Sequence, residues 1–144
     1  MALWQFDFYI IPRKKEVIKD KLSDESILSW KLCNISSVNI DFLEKQKSWT
    51  EDIIQYGKED ETCINFLYEE GLVEEIYCRL DLRSLTKKML EQILDYARKI
   101  EGFIFYENKI IPPNIEEIVE LMKCSNANRF CQNPMSYFED VSKK

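Results

Sequence analysis

Apolar and polar residues alternate over positions 4–11, with aromatic and β-branched side chains prominent. This period of two predicts a β-strand that Pro12 brings to an end. Phe6, Phe8 and Ile10 fall on one face; Gln5, Asp7, Tyr9 and Ile11 fall on the other. Strand-like runs return at 62–69 and 72–83, and the Glu70-Gly71 between them predicts a hairpin with a tight turn. A second, shorter hairpin is predicted over 103–106 and 109–111 through Glu107-Asn108, before Pro112-Pro113 breaks the chain.

Helical spacing is clearest over 84–100, where Leu85, Met89, Leu90, Ile93, Leu94, Tyr96, Ala97 and Ile100 recur on one side. Ser84 supplies a cap and Gly102 lies just beyond the end. Phe42, Leu43, Trp49, Ile53, Ile54 and Tyr56 predict another helix over 41–56, stopped by Gly57, with a charged loop at 58–61. Asn114 caps a further helix in a capping-box relation with Glu117, carrying Ile115, Ile118, Val119, Leu121 and Met122 inward. Between 13 and 40 the pattern is ambiguous, although Ser23 or Asp24 can cap a short helix bearing Ile27, Leu28 and Trp30. Past Cys124, two short helical turns precede a last helix starting near Pro134, and Phe130 and Phe138 can clasp the tail onto the core.

These elements predict one α+β domain over 1–144, an antiparallel or mixed sheet of about four to six strands with helices packed mainly on one face. At 144 residues the chain can bury about two-thirds of its unfolded surface in one core. No basic and apolar leader and no spanning run is read, which predicts a cytoplasmic protein away from membranes. Five scattered cysteines without a C-x-x-C pair point to reduced thiols, and to no zinc site or other cofactor.

Charge alters the picture locally. The net charge of −6 and a pI near 4.9 disfavour direct nucleic-acid binding. A basic run, Arg13, Lys14, Lys15, Lys19 and Lys21, is interrupted by Glu16 and Asp20 and reads as solvated surface. Between Glu51 and Glu75, nine acidic residues are opposed by Lys58 alone. Of these, Glu59, Asp60, Glu69, Glu70, Glu74 and Glu75 are the candidate partner-binding residues, facing a protein with a basic surface.

The strand that follows sends Ile76, Cys78, Leu80 and Leu82 to one face and Glu75, Tyr77, Arg79, Asp81 and Arg83 to the other. Tyr77, Arg79, Asp81 and Arg83 are therefore candidate anion-binding residues, since two guanidinium forks flank a carboxylate. A charge ladder on a solvated face accounts for the same pattern.

No histidine is present, which removes every Ser-His or Cys-His arrangement, and three glycines leave little room for a phosphate cradle. The acidic residues follow no calcium-loop spacing, so no metal site is expected.

Trp4-x-Phe6-x-Phe8-Tyr9, Arg79-Leu80-Asp81-Leu82-Arg83 ahead of a helix, and Ser125-x-Ala127-x-x-Phe130-x-x-Asn133-Pro134 together resemble a group of small bacterial proteins. Some of these are similar to immunity proteins of polymorphic toxin systems. The resemblance implies a bacterial cytosolic binder and carries no functional residue across. Three functions remain in view: a non-catalytic binding module that neutralises a toxin through its acidic surface; a small enzyme holding an anionic substrate on Arg79 and Arg83, with Asp81 or Tyr77 handling a proton; and a structural subunit or homodimer joined at a sheet edge.

Overall fold

The first alternating segment forms strand β1, Gln5–Pro12, in a computed structural model that describes residues 5–13, 28–30, 33, 40–47, 50–58 and 61–123. Next come β2 (Lys45–Gln46), β3 (Ile53–Tyr56), β4 (Cys63–Glu69), β5 (Leu72–Asp81) and α1 (Lys87–Lys99). Strands β6 (Gly102–Tyr106) and β7 (Lys109–Ile111) and helix α2 (Ile115–Lys123) complete the described elements.

The strands form one sheet of seven in the order β2-β3-β4-β5-β1-β6-β7, and each neighbouring pair is antiparallel. The fold is α+β. Because β5 and β6 both run antiparallel to β1, they run parallel to each other, and α1 carries the chain between them across the inserted first strand.

Seven strands exceed the four to six expected because 41–56 is not a helix. Ile53 pairs with Leu67, Ile54 with Phe66 and Tyr56 with Ile64, so cross-strand partners in β4 decide the conformation. The local apolar spacing suits either period, and tertiary pairing prevails over propensity. Gly57 does stop the element, but as a turn residue at φ +84°, where an added Cβ would stand 2.3 Å from the Thr62 carbonyl oxygen.

Alternation places Phe6, Phe8, Ile10, Ile64, Phe66, Ile76, Cys78, Leu80 and Ile104 in one core cluster with Leu90, Ile93, Leu94, Ala97, Ile118 and Met122 of the two helices. Both described helices thus cover the same face. Each fully buried large apolar side chain contributes about 1.5–3 kcal/mol relative to exposure. Rings lock the layer together: Phe66 meets Tyr56 and Tyr96 edge-on, and Phe6 stacks on Tyr106 with centroids 4.6 Å apart.

Trp30, 1 % exposed, ties two strands. Its backbone N–H donates to the Glu74 carbonyl of β5 over 2.9 Å, and its indole N–H donates to the Ile10 carbonyl of β1 over 2.7 Å. Glu74 is the extra residue of a β-bulge, since Leu67 pairs with Glu75 but Tyr68 pairs with Val73. The bulge restores Val73 and Ile76 to the same buried face although they stand three positions apart.

Helix α1 starts two residues later than the Ser84 cap would give. Asp81 accepts the Ser84 and Leu85 N–H groups in a turn, and Thr86 takes the cap, its hydroxyl accepting from Met89 N–H at 3.0 Å. The Asn114 cap forms as expected, accepting from Glu117 N–H at 2.9 Å. Both predicted hairpins close through two residues at positive φ, Glu70 (55°) with Gly71 (79°) and Glu107 (44°) with Asn108 (64°), as type I′ turns require. The helix expected around Ser23 or Asp24, most of the basic run and the aromatic clasp after Cys124 lie outside the described residues.

Beyond α1 the left-handed position is filled by Glu101 at φ 58°, while Gly102 is the residue where an added Cβ would meet Ile10 and Trp30. Adjacent substitutions should therefore have opposite signs. Glu101→Gly should raise stability to urea by about 1 kcal/mol, because a side chain costs energy at this φ. Gly102→Ala should lower it by about 1–3 kcal/mol, because its Cβ would lie 2.6 Å from the Ile10 side chain.

Candidate functional site

The face of the sheet opposite the two helices carries its own ordered rows. Register places Gln55, Asn65, Tyr77, Tyr9, Phe105 and Ile110 side by side across six strands. A second row runs Ile53, Leu67, Glu75, and a third runs Cys63, Arg79, Asp7. The first two rows are partly exposed throughout, so this outer face is neither core nor a plain charged surface.

A concavity of about 480 Å³ opens here, lined by Tyr9, Ile53, Asn65, Leu67, Glu75, Tyr77 and Arg79. Its fixed element is a three-residue network. The Tyr77 hydroxyl donates to Asp7 Oδ2, and Arg79 Nε donates to Asp7 Oδ1 at 3.3 Å. The Arg79 guanidinium carbon stands 5.7 Å from the centre of the Tyr77 ring, within cation–π reach. Tyr9 meets Tyr77 edge-on with centroids 5.2 Å apart.

These contacts set the protonation of the site. Burial, then the hydrogen bond to Asp7, pushes the Tyr77 hydroxyl up to about 12. Burial and the charges of Glu75 and Asp7 also raise Tyr9. Neither phenol serves as a base near neutrality; both stay protonated and act as donors and ring surfaces. Cys78, fully buried on the core face, is held well above the ordinary thiol value by burial and then by Cys63, which suits a packing role.

Of the four candidate anion-binding residues, Tyr77, Arg79 and Asp81 share the outer face by register, while Arg83 lies beyond the strand. Asp81 is 2 % exposed, and its backbone N–H donates to the Thr62 hydroxyl at 3.0 Å. Arg83 lies in the turn past the end of β5 and clasps Asp81 through Nε at 3.0 Å and a terminal nitrogen at 3.1 Å. Tyr77 and Arg79 remain together at the concavity; Asp81 and Arg83 form a separate lock on the turn before α1. The solvated ladder is corrected accordingly, since each guanidinium is matched to a carboxylate and Asp81 is withdrawn from solvent.

Of the candidate partner-binding acids, Glu69 and Glu70 are exposed at the hairpin tip, while Glu74 and Glu75 sit half-buried along β5. Glu74 also accepts from the Ser29 hydroxyl at 3.0 Å, so part of its role is to anchor residues 29 and 30. Glu59 and Asp60 lie outside the described residues. The fold adds two acids, because Tyr68 N–H donates to the Asp52 carbonyl at 2.6 Å and so brings exposed Glu51 and Asp52 beside the tip. Lys45 and Lys47 border this end along the edge strand and share a shallow concavity with Glu51.

Asp7 and Tyr9 are the site residues that strand patterning alone passed over. Their signal is present in the sequence, an acid and a phenol on the outer side of an otherwise aromatic strand, but only register shows that they meet Arg79 and Tyr77. Among the described residues, no helix is long and apolar enough to cross a membrane.

Tyr77→Phe tests the network. It should cost about 1 kcal/mol at neutral pH, measured by urea unfolding, because it removes a hydrogen bond to a carboxylate in a partly exposed site. Tyr77 favours the fold in its neutral form, so its contribution is complete below pH 10 and is lost as pH rises from 10 through about 12. The stability gap between the parent protein and Tyr77→Phe should close over that window. Comparison with known protein families, with curated proteins and with solved structures finds no match, so no residue role is transferred from a relative.

Proposed function

We propose that the protein is a non-catalytic protein-binding module that engages a basic partner through the acidic end of its sheet. The observation that supports this best is the gathering of Glu51, Asp52, Glu69, Glu70, Glu74 and Glu75 at the adjoining ends of β3, β4 and β5. Complementary charge of this kind speeds encounter and disfavours wrong partners. The neighbouring outer face adds half-exposed Tyr9, Leu67 and Tyr77, the mixture of aromatic and apolar surface that anchors protein interfaces. In its finer form the reading is an immunity protein whose acidic surface covers a basic active surface of a toxin.

The internal pairing of both arginines weighs against the enzyme reading. Arg79 is held by Asp7 and Arg83 by Asp81, so an anionic substrate would have to displace a carboxylate at each. The Tyr77 phenol beside Arg79 is pushed up to about 12, far from the range of a general base.

Capture from the native cell tests the proposal. The bound partner should be basic, should elute as salt is raised, and should be retained about tenfold less by Glu69→Lys/Glu70→Lys, with the fold checked by circular dichroism. Full retention by the folded double variant would contradict the assignment of this surface.

A further inference from the structure

We propose that the protein partner carries, beside its basic patch, a carboxylate side chain that enters a second concavity, between Arg13 and Lys99. This rests on the binding-module reading above and adds the pattern of charge that the partner must present.

A space of about 360 Å³ opens between the end of β1 and the end of α1, with Pro12, Trp30 and Ile100 as apolar walls and Arg13 and Lys99 as its cations. The walls are fixed. Arg13 N–H donates to the Glu101 carbonyl over 2.8 Å, which joins the two ends, and the Trp30 indole is bonded to the Ile10 carbonyl. Both cations are exposed, and among the described residues neither side chain makes an ion pair or a hydrogen bond. Glu101, on the rim, is paired with neither. On its other side Lys99 borders Asp41 and Asp95, again without an ion pair, and Asp95 is engaged by Arg98. A lysine in the last turn of a helix commonly bonds the terminal carbonyls. Here the Ile100 and Glu101 N–H groups already occupy the Tyr96 and Arg98 carbonyls, which leaves the Lys99 ammonium for a ligand.

Register puts these cations at the same end of the sheet as the acidic tip. Strands β1 and β5 are antiparallel with Ile10 opposite Ile76, so the end of β1 lies beside the start of β5, where Trp30 N–H donates to the Glu74 carbonyl. Acids therefore occupy the adjoining ends of β3, β4 and β5, and the cations follow at the end of β1, one strand spacing of roughly 4.8 Å beyond β5. A partner of uniformly positive surface would be repelled at Arg13 and Lys99, whereas one with a carboxylate beside its basic patch is attracted at both places. This change of sign fixes how the partner docks and rejects partners that match the acids alone. The chemistry of the space suits that group: a guanidinium grips a carboxylate through two N–H groups, the ammonium closes on it as a point charge, and the apolar walls take its methylenes.

The test titrates the full chain with N-acetylglutamate amide, followed by two-dimensional NMR, with N-acetylglutamine amide as the neutral control of the same shape. Saturable shifts centred on Arg13, Lys99 and Glu101 are expected with the glutamate probe and not with the control. Binding should weaken about fivefold in Arg13→Gln and about tenfold in Arg13→Gln/Lys99→Gln, with the fold checked by circular dichroism. Absence of saturable shifts with the glutamate probe, an equal response to the glutamine probe, or unchanged binding by the folded double variant overturns the proposal. The partner capture separates the two readings. A partner lost by Glu69→Lys/Glu70→Lys but fully retained by Arg13→Gln/Lys99→Gln overturns the carboxylate site alone, and a partner retained by both overturns the acidic surface as well.

Discussion

The antiparallel register between β1 and β5 is the constraint on which the rest of the molecule depends. It sets Phe6, Phe8 and Ile10 beside Leu80, Cys78 and Ile76 on the helix-covered face, and Asp7 and Tyr9 beside Arg79 and Tyr77 on the other. Because side chains alternate strictly, a slip of one residue would turn the aromatic core outward and scatter the Asp7 network. Core burial on one face therefore fixes polar geometry on the other, and the site needs no separate scaffold. Trp30 reinforces that register by bonding to β1 and β5 at once.

Among the described residues, polar groups of the outer face are paired with one another. Asp7 satisfies a phenol and a guanidinium together, and Asp81 satisfies a second guanidinium and a turn. Such pairing keeps partly buried charges compensated, and it leaves the negative charge at the tip of the β4–β5 hairpin as the dominant field of that end. This pairing supports the proposed recognition of a basic surface over turnover of an anion.

Much of this architecture is legible in the sequence because its signals are local. Period-two aromatic runs give β1, β4 and β5, two-residue turns give both hairpins, and helical spacing with an Asn cap gives α1 and α2. Residues 41–56 are not legible in this way, since Ile53, Ile54 and Tyr56 satisfy a helical spacing and become a strand only when β4 offers partners. Likewise, the sequence places Arg79, Asp81 and Arg83 on one face, whereas the strand ends at Asp81 and the chain turns. The alliance of Asp7 with Tyr77 and Arg79 spans 70 and 72 residues and exists only through register.

The most direct test of the central claim is hydrogen–deuterium exchange of the protein with and without its captured partner. Protection concentrated in β4, β5 and the Glu70-Gly71 turn, extending into β1, is the result this account requires. Protection confined to α1 and α2, with the hairpin exchanging as it does in the free protein, would contradict it.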